Sequence, residues 1–316
     1  MRPEHEHPNW RHQKGFALIV VIWVGVLLAL MAAAFSSAVR SRLRSTAGEA
    51  ETVQSEALAD AGVKIALLDL LQPAAPKTRR FTADGTPVAC AIGTQGAVLI
   101  QVEDEAGKVN LNTANEEILI ALFTGLGAGR LEARKFTDRI LDFRDIDTDK
   151  RSDGAEREDY KKAGNPVGPK NSDFSSVDEL DQVLNIPPEL RDRAKPFLTT
   201  LSSQNGIDPH VAPKGLKPLL ARGTSDILSN IQTDSDGSSI FNSGELPPQF
   251  VSASSHNGYT IRAEAFLPAG ARYVSEAIVE LPNGATGPPV FRQWRRGTSR
   301  LPVGQAPPVL QQLPPC

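Results

Sequence analysis

Residues 14–24 read KGFALIVVIWV, in which a basic residue and a glycine lead directly into an apolar run. The run continues without a charged residue from Phe16 to Phe35. Roughly 20 residues at about 1.5 Å each reach the roughly 30 Å thickness of the bilayer hydrocarbon core. A secretory signal has a shorter apolar region, of about 7–15 residues, followed by its cleavage site. The stretch therefore predicts a membrane-spanning helix over residues 16–35.

The same helix is predicted to continue beyond the span. Residues 36–71 are rich in alanine, leucine, glutamate and arginine, which favour helix, and no proline interrupts them before Pro73. Apolar residues recur there at three- and four-residue spacings, as expected of a helix with one buried face. We predict one helix over residues 16–71, with Gly48 and Gly62 as tolerated weak points. Its outer half should pack on a soluble domain through Val53, Ala57, Val63, Leu67 and Leu70.

Segments typical of strands lie on both sides of a helical block. TPVACAIGT and GAVLIQVEDEAG fall within residues 72–108, and YTIRAEAFLP, ARYVSEAIVELP and VFRQWRRG fall within residues 257–297. Residues 109–250 have helical periodicity, and residues 298–316 form a proline-rich tail. The predicted fold class is α+β: a long N-terminal helix on a small antiparallel sheet, with an all-α domain inserted between strands.

Two helix starts are predicted inside the inserted block. Thr113 with Glu116, and Ser176 with Glu179, have the spacing of a capping box, in which two side chains bond to each other's backbone N–H groups.

The chain has two cysteines, Cys90 and Cys316, and a formal net charge of −3. The cysteines could pair in an oxidising compartment. However, Cys316 ends the proline-rich tail, which we expect to be mobile, and this disfavours a native disulfide. The weakly acidic net charge differs from the basic patch or stripe that is typical of nucleic-acid-binding proteins.

Residues 142–160, DFRDIDTDKRSDGAEREDY, concentrate acidic side chains in a turn-rich stretch. Oxygen donors at alternate positions suit calcium, which takes six to eight oxygen ligands. Asp145, Asp147, Asp149, Asp153 and Glu156 fit ligand positions of an EF-hand loop. Lys150 occupies the position at which that loop needs glycine, so we expect an irregular calcium loop instead. A solvated loop held by salt bridges is the alternative.

The sequence contains no nucleophile elbow, phosphate-binding loop, dinucleotide fingerprint or zinc-protease motif, and we predict no enzyme. The stretch FTGLGAGR follows a helical pattern, so we interpret it as a helix-to-helix turn. It also resembles the hairpin of helix-hairpin-helix modules, which gives an alternative function, a membrane-tethered DNA-binding or DNA-uptake protein. The nearby Glu132 and the acidic loop would repel a polyanion.

Several short motifs follow one another in a specific order. Gly15 precedes the apolar run, and V-N-L-N-T-A (109–114), G-A-E (154–156), I-D-P-x-x-A (207–212), T-I-R-A-E-A (260–265) and W-R-R (294–296) come after it. In this order the chain resembles the K-type minor pseudopilins of type II secretion systems. Most type IV pilins and pseudopilins have glutamate as their fifth mature residue, where this chain has Val20. Loss of that acid is a recurrent feature of the K-type.

The resemblance implies a processing pathway and a location. A prepilin peptidase would cut between Gly15 and Phe16 on the cytoplasmic side, removing the leader of residues 1–15, and the new terminus would be methylated. The helix would anchor the protein once in the bacterial inner membrane, with the C-terminal domain in the periplasm.

The resemblance also implies partners and a cofactor. The partners would be the I- and J-type minor pseudopilins and the rest of the pseudopilus, with no nucleic acid. The cofactor would be Ca2+ in the acidic loop. The predicted ligands are Asp145, Asp147, Asp149, Glu156 and Asp159.

Overall fold

The computed structural model describes residues 14–72, 80–165, 167–228, 246–282, 287–299 and 312–316. It contains a 58-residue helix, α1 (Lys14–Leu71), which confirms the long helix predicted over residues 16–71. The chain divides into two compact units, Met1–Gln54 and Ser55–Cys316. Most of the predicted leader, residues 1–13, lies outside the described residues.

The first unit contains the apolar part of α1. Its stretch Leu18–Ser37 has a mean hydropathy of 2.9, and none of it is buried within the protein. This is the one described helix that is long and apolar enough to cross a membrane.

The second unit contains a sheet and a helical insert. After α1 its elements are β1 (Val88–Ile92), β2 (Gly96–Asp104), β3 (Val109–Asn110), α2 (Glu116–Gly125), α3 (Arg130–Arg144), α4 (Arg157–Lys162), α5 (Pro188–Ala194), β4 (Leu198–Thr199), α6 (Leu216–Leu228), β5 (Gly258–Phe266), β6 (Arg272–Glu280) and β7 (Val290–Arg296). Five strands form an antiparallel sheet in the order β1-β2-β5-β6-β7. The helices lie between β2 and β5 in sequence, and β3 and β4 pair in parallel. The predicted α+β fold is therefore confirmed. The domain boundaries drawn from sequence stay predictions.

From Ser55 onward, α1 packs on one face of this sheet. Leu58, Val63 and Leu70 are buried against Val98 and Ile261 in one apolar cluster. The helix comes closest to the strands at Gly62. A Cβ added there would lie 2.6 Å from Val98 Cγ1 and 2.9 Å from Ala263 Cβ. Gly62 is thus required by a close approach of helix and sheet, whereas a Cβ at Gly48 would meet nothing within 4 Å.

The helical insert has its own apolar core, centred on α2. Residues Ile118 to Thr124 of α2 are all buried. Phe123 meets Phe136 of α3 edge to face, with ring centroids 5.9 Å apart. Phe143 stacks on Phe174 at 4.8 Å. The insert therefore buries its apolar faces within itself instead of relying on the sheet.

The two predicted helix starts are wrong in detail. The N-cap of α2 is Asn115, whose side chain accepts from Ile118 N. Thr113 Oγ1 instead donates to Gln204 O, so its hydroxyl is already engaged outside the helix. The second start begins a short 3-10 turn, Val177–Gln182, in which Ser176 makes no side-chain cap. There Glu179 accepts from Ser175 N.

A buried ion cluster joins the insert to the sheet. Lys108 Nζ lies 2.8 Å from Glu103 Oε2 and 2.7 Å from Glu105 Oε1. Burial alone would lower the pKa of Lys108, but these two carboxylates raise it, so the ammonium stays charged. Glu105 also accepts from Thr199 of β4 and from Thr260 of β5. One carboxylate thus contacts the insert and the central strand of the sheet.

The disulfide that the sequence disfavours is present. Cys90 and Cys316 form a disulfide with a Cα–Cα distance of 5.0 Å. The last residues of the sequence lie along β1, where Ala91 N donates to Pro314 O and Cys316 N donates to Ala91 O. This backbone pairing positions Cys316 beside Cys90, which composition alone does not reveal. Residues 300–311 of the predicted tail lie outside the described residues.

Candidate metal site

The acidic loop runs between two helices of the insert. Helix α3 ends at Arg144 and α4 begins at Arg157, so most of the predicted site lies in the connection between them. Asp142, in the last turn of α3, is fully buried. Residues 146–149 are exposed, whereas Glu156 is 8% exposed at the start of α4. The loop therefore places acidic groups in both solvated and dry surroundings.

Asp142 holds the loop against α3. Its Oδ2 accepts from Arg151 N at 3.3 Å, and the Arg151 Nε lies 3.5 Å from Oδ1. Gly154 passes so close that an added Cβ would lie 1.9 Å from Asp142 Oδ2. One turn earlier, Asp138 Oδ2 accepts from Asp153 N at 3.0 Å. Two carboxylates one helical turn apart thus bind the backbone of the loop.

The carboxyl groups of Asp142, Asp145 and Glu156, at the base of the loop, all have a raised pKa. Burial and the charge of Asp145 raise the pKa of Asp142 to about 6. Burial and Asp147 raise the pKa of Asp145. Burial raises the pKa of Glu156, and so do Asp142 and Asp145. A bound cation would remove this mutual repulsion.

The buried oxygens of these groups have few partners. Among the described residues, Asp145 Oδ1 is buried and unpaired, and the Glu156 carboxylate has at most backbone N–H groups at the start of α4 beside it. Buried carboxylate oxygens are normally hydrogen-bonded or bound to a metal, because leaving them unpaired is costly. We call Asp142, Asp145 and Glu156, each of which has a raised pKa, the acidic cluster of this loop.

The other two predicted ligands have different surroundings. Asp159 Oδ2 accepts from Glu156 N at 3.1 Å and lies 3.0 Å from Lys150 Nζ. These two contacts lower the pKa of Asp159. Asp149 is exposed, and its backbone N donates to Asp147 Oδ1 at 2.9 Å. Thus Lys150, which the sequence places inside the loop, neutralises Asp159 rather than the acidic cluster.

The donor set fits a hard cation by chemistry, since calcium prefers carboxylate and carbonyl oxygens. Within the described ranges, however, no three Asp, Glu, His or Cys side chains come together in a group that could hold a metal ion. The five-residue ligand set stays a prediction. Asp142 is the acid that sequence reasoning left out of this set. Its signal is its position four residues after Asp138 on the buried side of α3, where an acid is unusual.

The V-N-L-N-T-A motif has a structural role. Asn112 Nδ2 donates to Phe174 O at 3.0 Å, and Phe174 N donates back to Asn112 Oδ1 at 2.7 Å. Asn110 Nδ2 donates to Ser202 O. Arg144 donates to Leu111 O and Ala114 O, which ties the end of α3 to this motif. The motif therefore holds the loops of the insert together.

The stretch FTGLGAGR is a helix-to-helix turn, as predicted. It joins α2, which ends at Gly125, to α3, which begins at Arg130. Arg134, which would help to bind a phosphate, lies 3.5 Å from Glu116. The DNA-binding alternative gains no support from this geometry.

The insert and its junction with the sheet match a known family. Residues 99–203, which run from β2 through β4, match the family model described as type II secretion system (T2SS), protein K. This stretch of the chain is therefore similar to type II secretion system protein K. A curated relative, the putative type II secretion system protein K of Escherichia coli strain K12, is 24% identical over 205 residues. These residues are 60% of this chain, and the chain spans 63% of the length of that relative.

One solved structure has a similar fold. The chain is similar to one in the crystal structure of the GspK-GspI-GspJ complex from the enterotoxigenic Escherichia coli type 2 secretion system. The TM-score is 0.57 and the identity 16%, and the match covers 82% of this chain and 100% of the other. At 16% identity, the match shows a similar fold and nothing about function.

The raised pKa of Asp142 predicts how stability depends on pH without metal. A buried acid whose pKa is about 6 instead of 3.8 destabilises the folded state when it is ionised. Its contribution to the free energy of unfolding should therefore rise as pH falls from 7 to 5. Asp142→Asn should stabilise the metal-free protein at pH 7 by on the order of 2 kcal/mol.

Urea unfolding with a chelator at pH 7 and pH 5 measures both effects. Asp142→Asn should show a weaker dependence on pH than the wild type, although Asp145 and Glu156 keep part of it. The exposed substitution Asp149→Asn is the control and should retain the wild-type dependence. If the free energy of unfolding changed equally with pH in the wild type and in Asp142→Asn, the raised pKa of Asp142 would be contradicted.

Proposed function

We propose that this chain is a minor pseudopilin of a type II secretion system, a non-enzymatic subunit that supports protein export across the outer membrane. The match of residues 99–203 to the protein K family carries the proposal. The apolar stretch Leu18–Ser37 and the pilin-like packing of α1 on an antiparallel sheet support it. The role is one of assembly, and the proposal assigns it no catalytic residue.

We place the subunit at the tip of the pseudopilus. In pilins and pseudopilins the fifth mature residue is usually a glutamate that neutralises the charged amino terminus of a neighbouring subunit within the membrane bundle. This chain has Val20 there, so it cannot neutralise a subunit in this way. The helical insert, which lies between β2 and β5 in sequence, adds bulk that would obstruct a subunit stacked above it. Both features suit a first subunit with none beyond it.

The proposal includes a single-pass anchor in the inner membrane, with the second unit in the periplasm. The anchor would follow removal of the leader of residues 1–15 by the prepilin peptidase. We expect the mature chain to begin at Phe16, and Gly15→Val should leave the precursor uncut. Mass spectrometry of the chain purified from membranes measures the mass of its amino-terminal peptide. A terminus beyond Ala34 would show an ordinary secretory signal instead.

Partner capture tests the function directly. The solved complex that the fold resembles contains I and J subunits, so we expect the full-length chain to co-purify with the corresponding I- and J-type pseudopilins in detergent. Val63, Leu67 and Leu70 of the apolar stripe are buried, so the expected contact is its exposed part, where Val53 is 65% exposed. Val53→Glu should reduce partner recovery about tenfold, because it places a charge in an apolar helix bundle.

The neighbouring exposed substitution Gln54→Glu adds the same charge beside the stripe and should leave recovery unchanged. Complementation of a strain lacking the protein, with export of a secreted substrate as the readout, extends the test to cells. A wild-type chain that captures neither partner and restores no export would contradict the proposed function.

We also propose that the acidic loop binds calcium. The mutual repulsion of Asp142, Asp145 and Glu156 and the unpaired Oδ1 of Asp145 support this. A ligand that binds only the folded state stabilises it by about 2.7 kcal/mol at a hundredfold excess over Kd. Millimolar calcium should therefore raise the melting temperature of the chain above its value in a chelator. Magnesium should substitute poorly, because it demands a tighter octahedron.

Two variants locate the calcium effect. Asp147→Asn combined with Glu156→Gln removes two charges with little change of shape and should abolish most of the shift in melting temperature. Glu158→Gln changes an acid whose side chain is 71% exposed on α4 and should leave the shift intact. A wild-type melting temperature that calcium does not change would return the loop to a solvated, salt-bridged surface.

A further inference from the structure

One edge of the sheet is covered by the last residues of the sequence. Strand β1 pairs with β2 on one side. On its other side, Pro315 forms a parallel bridge with Ala91. Ala91 N donates to Pro314 O at 2.8 Å and Cys316 N donates to Ala91 O at 2.9 Å. We call residues Pro314–Cys316 the edge clasp.

The edge clasp ends strand addition at this side of the sheet. The backbone groups of Pro314 and Cys316 face β1, and Pro315, which faces outward, has no N–H group to donate to a further strand. Edge strands of natural proteins are commonly protected by proline or by a covering segment, since open edges invite pairing with other chains. The edge clasp provides both kinds of protection.

Few polar contacts hold the edge clasp, and Cys316 packs against the apolar core beside its disulfide. Arg80 donates to Cys316 O and Pro315 O, and Arg80 is exposed. With the two bonds to Ala91, these are the polar contacts found for residues 314–316 in the described part of the chain. The strongest link is covalent, because Cys90 is fully buried in the core between α1 and the sheet and bonds to Cys316.

We propose that the edge clasp is a redox-controlled cover of β1. Oxidation closes it: the two thiols lose two protons and two electrons to an external disulfide, the Sγ–Sγ bond forms, and the external disulfide becomes two thiols. Reduction releases residues 314–316 and opens the N–H and C=O groups of Ala91 to solvent or to another strand. The proposed location implies that the clasp closes after export to an oxidising compartment. The clasp itself does not depend on that location.

Hydrogen exchange of the purified full-length chain in detergent tests the proposal, with glutathione disulfide and a phosphine reductant setting the two states. Alkylation confirms that reduction exposes two thiols. In the oxidised chain the amide of Ala91 should be protected. In the reduced chain, and in Cys316→Ser, it should exchange at least about tenfold faster, while the amides of β2 stay protected. Reoxidation should restore the protection of Ala91 in the wild type.

The matched control is Arg80→Gln, which removes the exposed contacts but keeps the disulfide. It should protect Ala91 like the oxidised wild type. Unchanged exchange at Ala91 after reduction would overturn the proposal, because the clasp would then stay closed without its bond. Loss of protection throughout β2 would overturn it as well, since the disulfide would then hold the whole sheet. Neither result depends on partner capture or on export, so failure here is distinguishable from failure of the proposed function.

Discussion

The pairing of β2 with β5 is the constraint on which the second unit depends. The two strands are neighbours in the sheet, from Ala97 opposite Phe266 to Asp104 opposite Tyr259, although the whole helical insert separates them in sequence. Every residue of β5 is buried, so this strand forms the centre of the sheet. The insert must therefore begin and end at the same place. That junction contains the ion cluster of Lys108, Glu103 and Glu105. It also contains the two threonines that donate to Glu105.

Much of this architecture is readable from the sequence, because it rests on periodicity. An uncharged run of 20 residues, alternating strands and a helical block each give a local pattern that local physics produces. The details that failed depend on contacts between distant residues. Thr113 has the right spacing for an N-cap, but Gln204 takes its hydroxyl. The disulfide joins residues 226 positions apart, and it depends on where a short segment pairs with β1.

The acidic loop shows the same division between composition and position. Sequence predicts that acids gather between residues 142 and 160, but not which of them lack compensation. Asp159 has Lys150 as a partner, whereas the buried Glu156 forms no ion pair within the described residues. Asp142 is missing from the predicted ligand set because it lies in helix α3 instead of in the loop. Whether an acid is neutralised depends on its burial and on its distance from a basic side chain, and only the fold determines these two properties.

The strand order β1-β2-β5-β6-β7 has a consequence for how the chain acquires its structure. The helical insert has an apolar core of its own, so it can be packed before the sheet is complete. The sheet cannot be completed until Gly258 and the residues after it are available, because β2 lacks its central neighbour before then. A folded insert brings the ends of β2 and β5 together and so lowers the entropy lost in closing this long loop. We therefore expect the insert to fold first and the sheet to form last, with α1 settling on it as β5 enters.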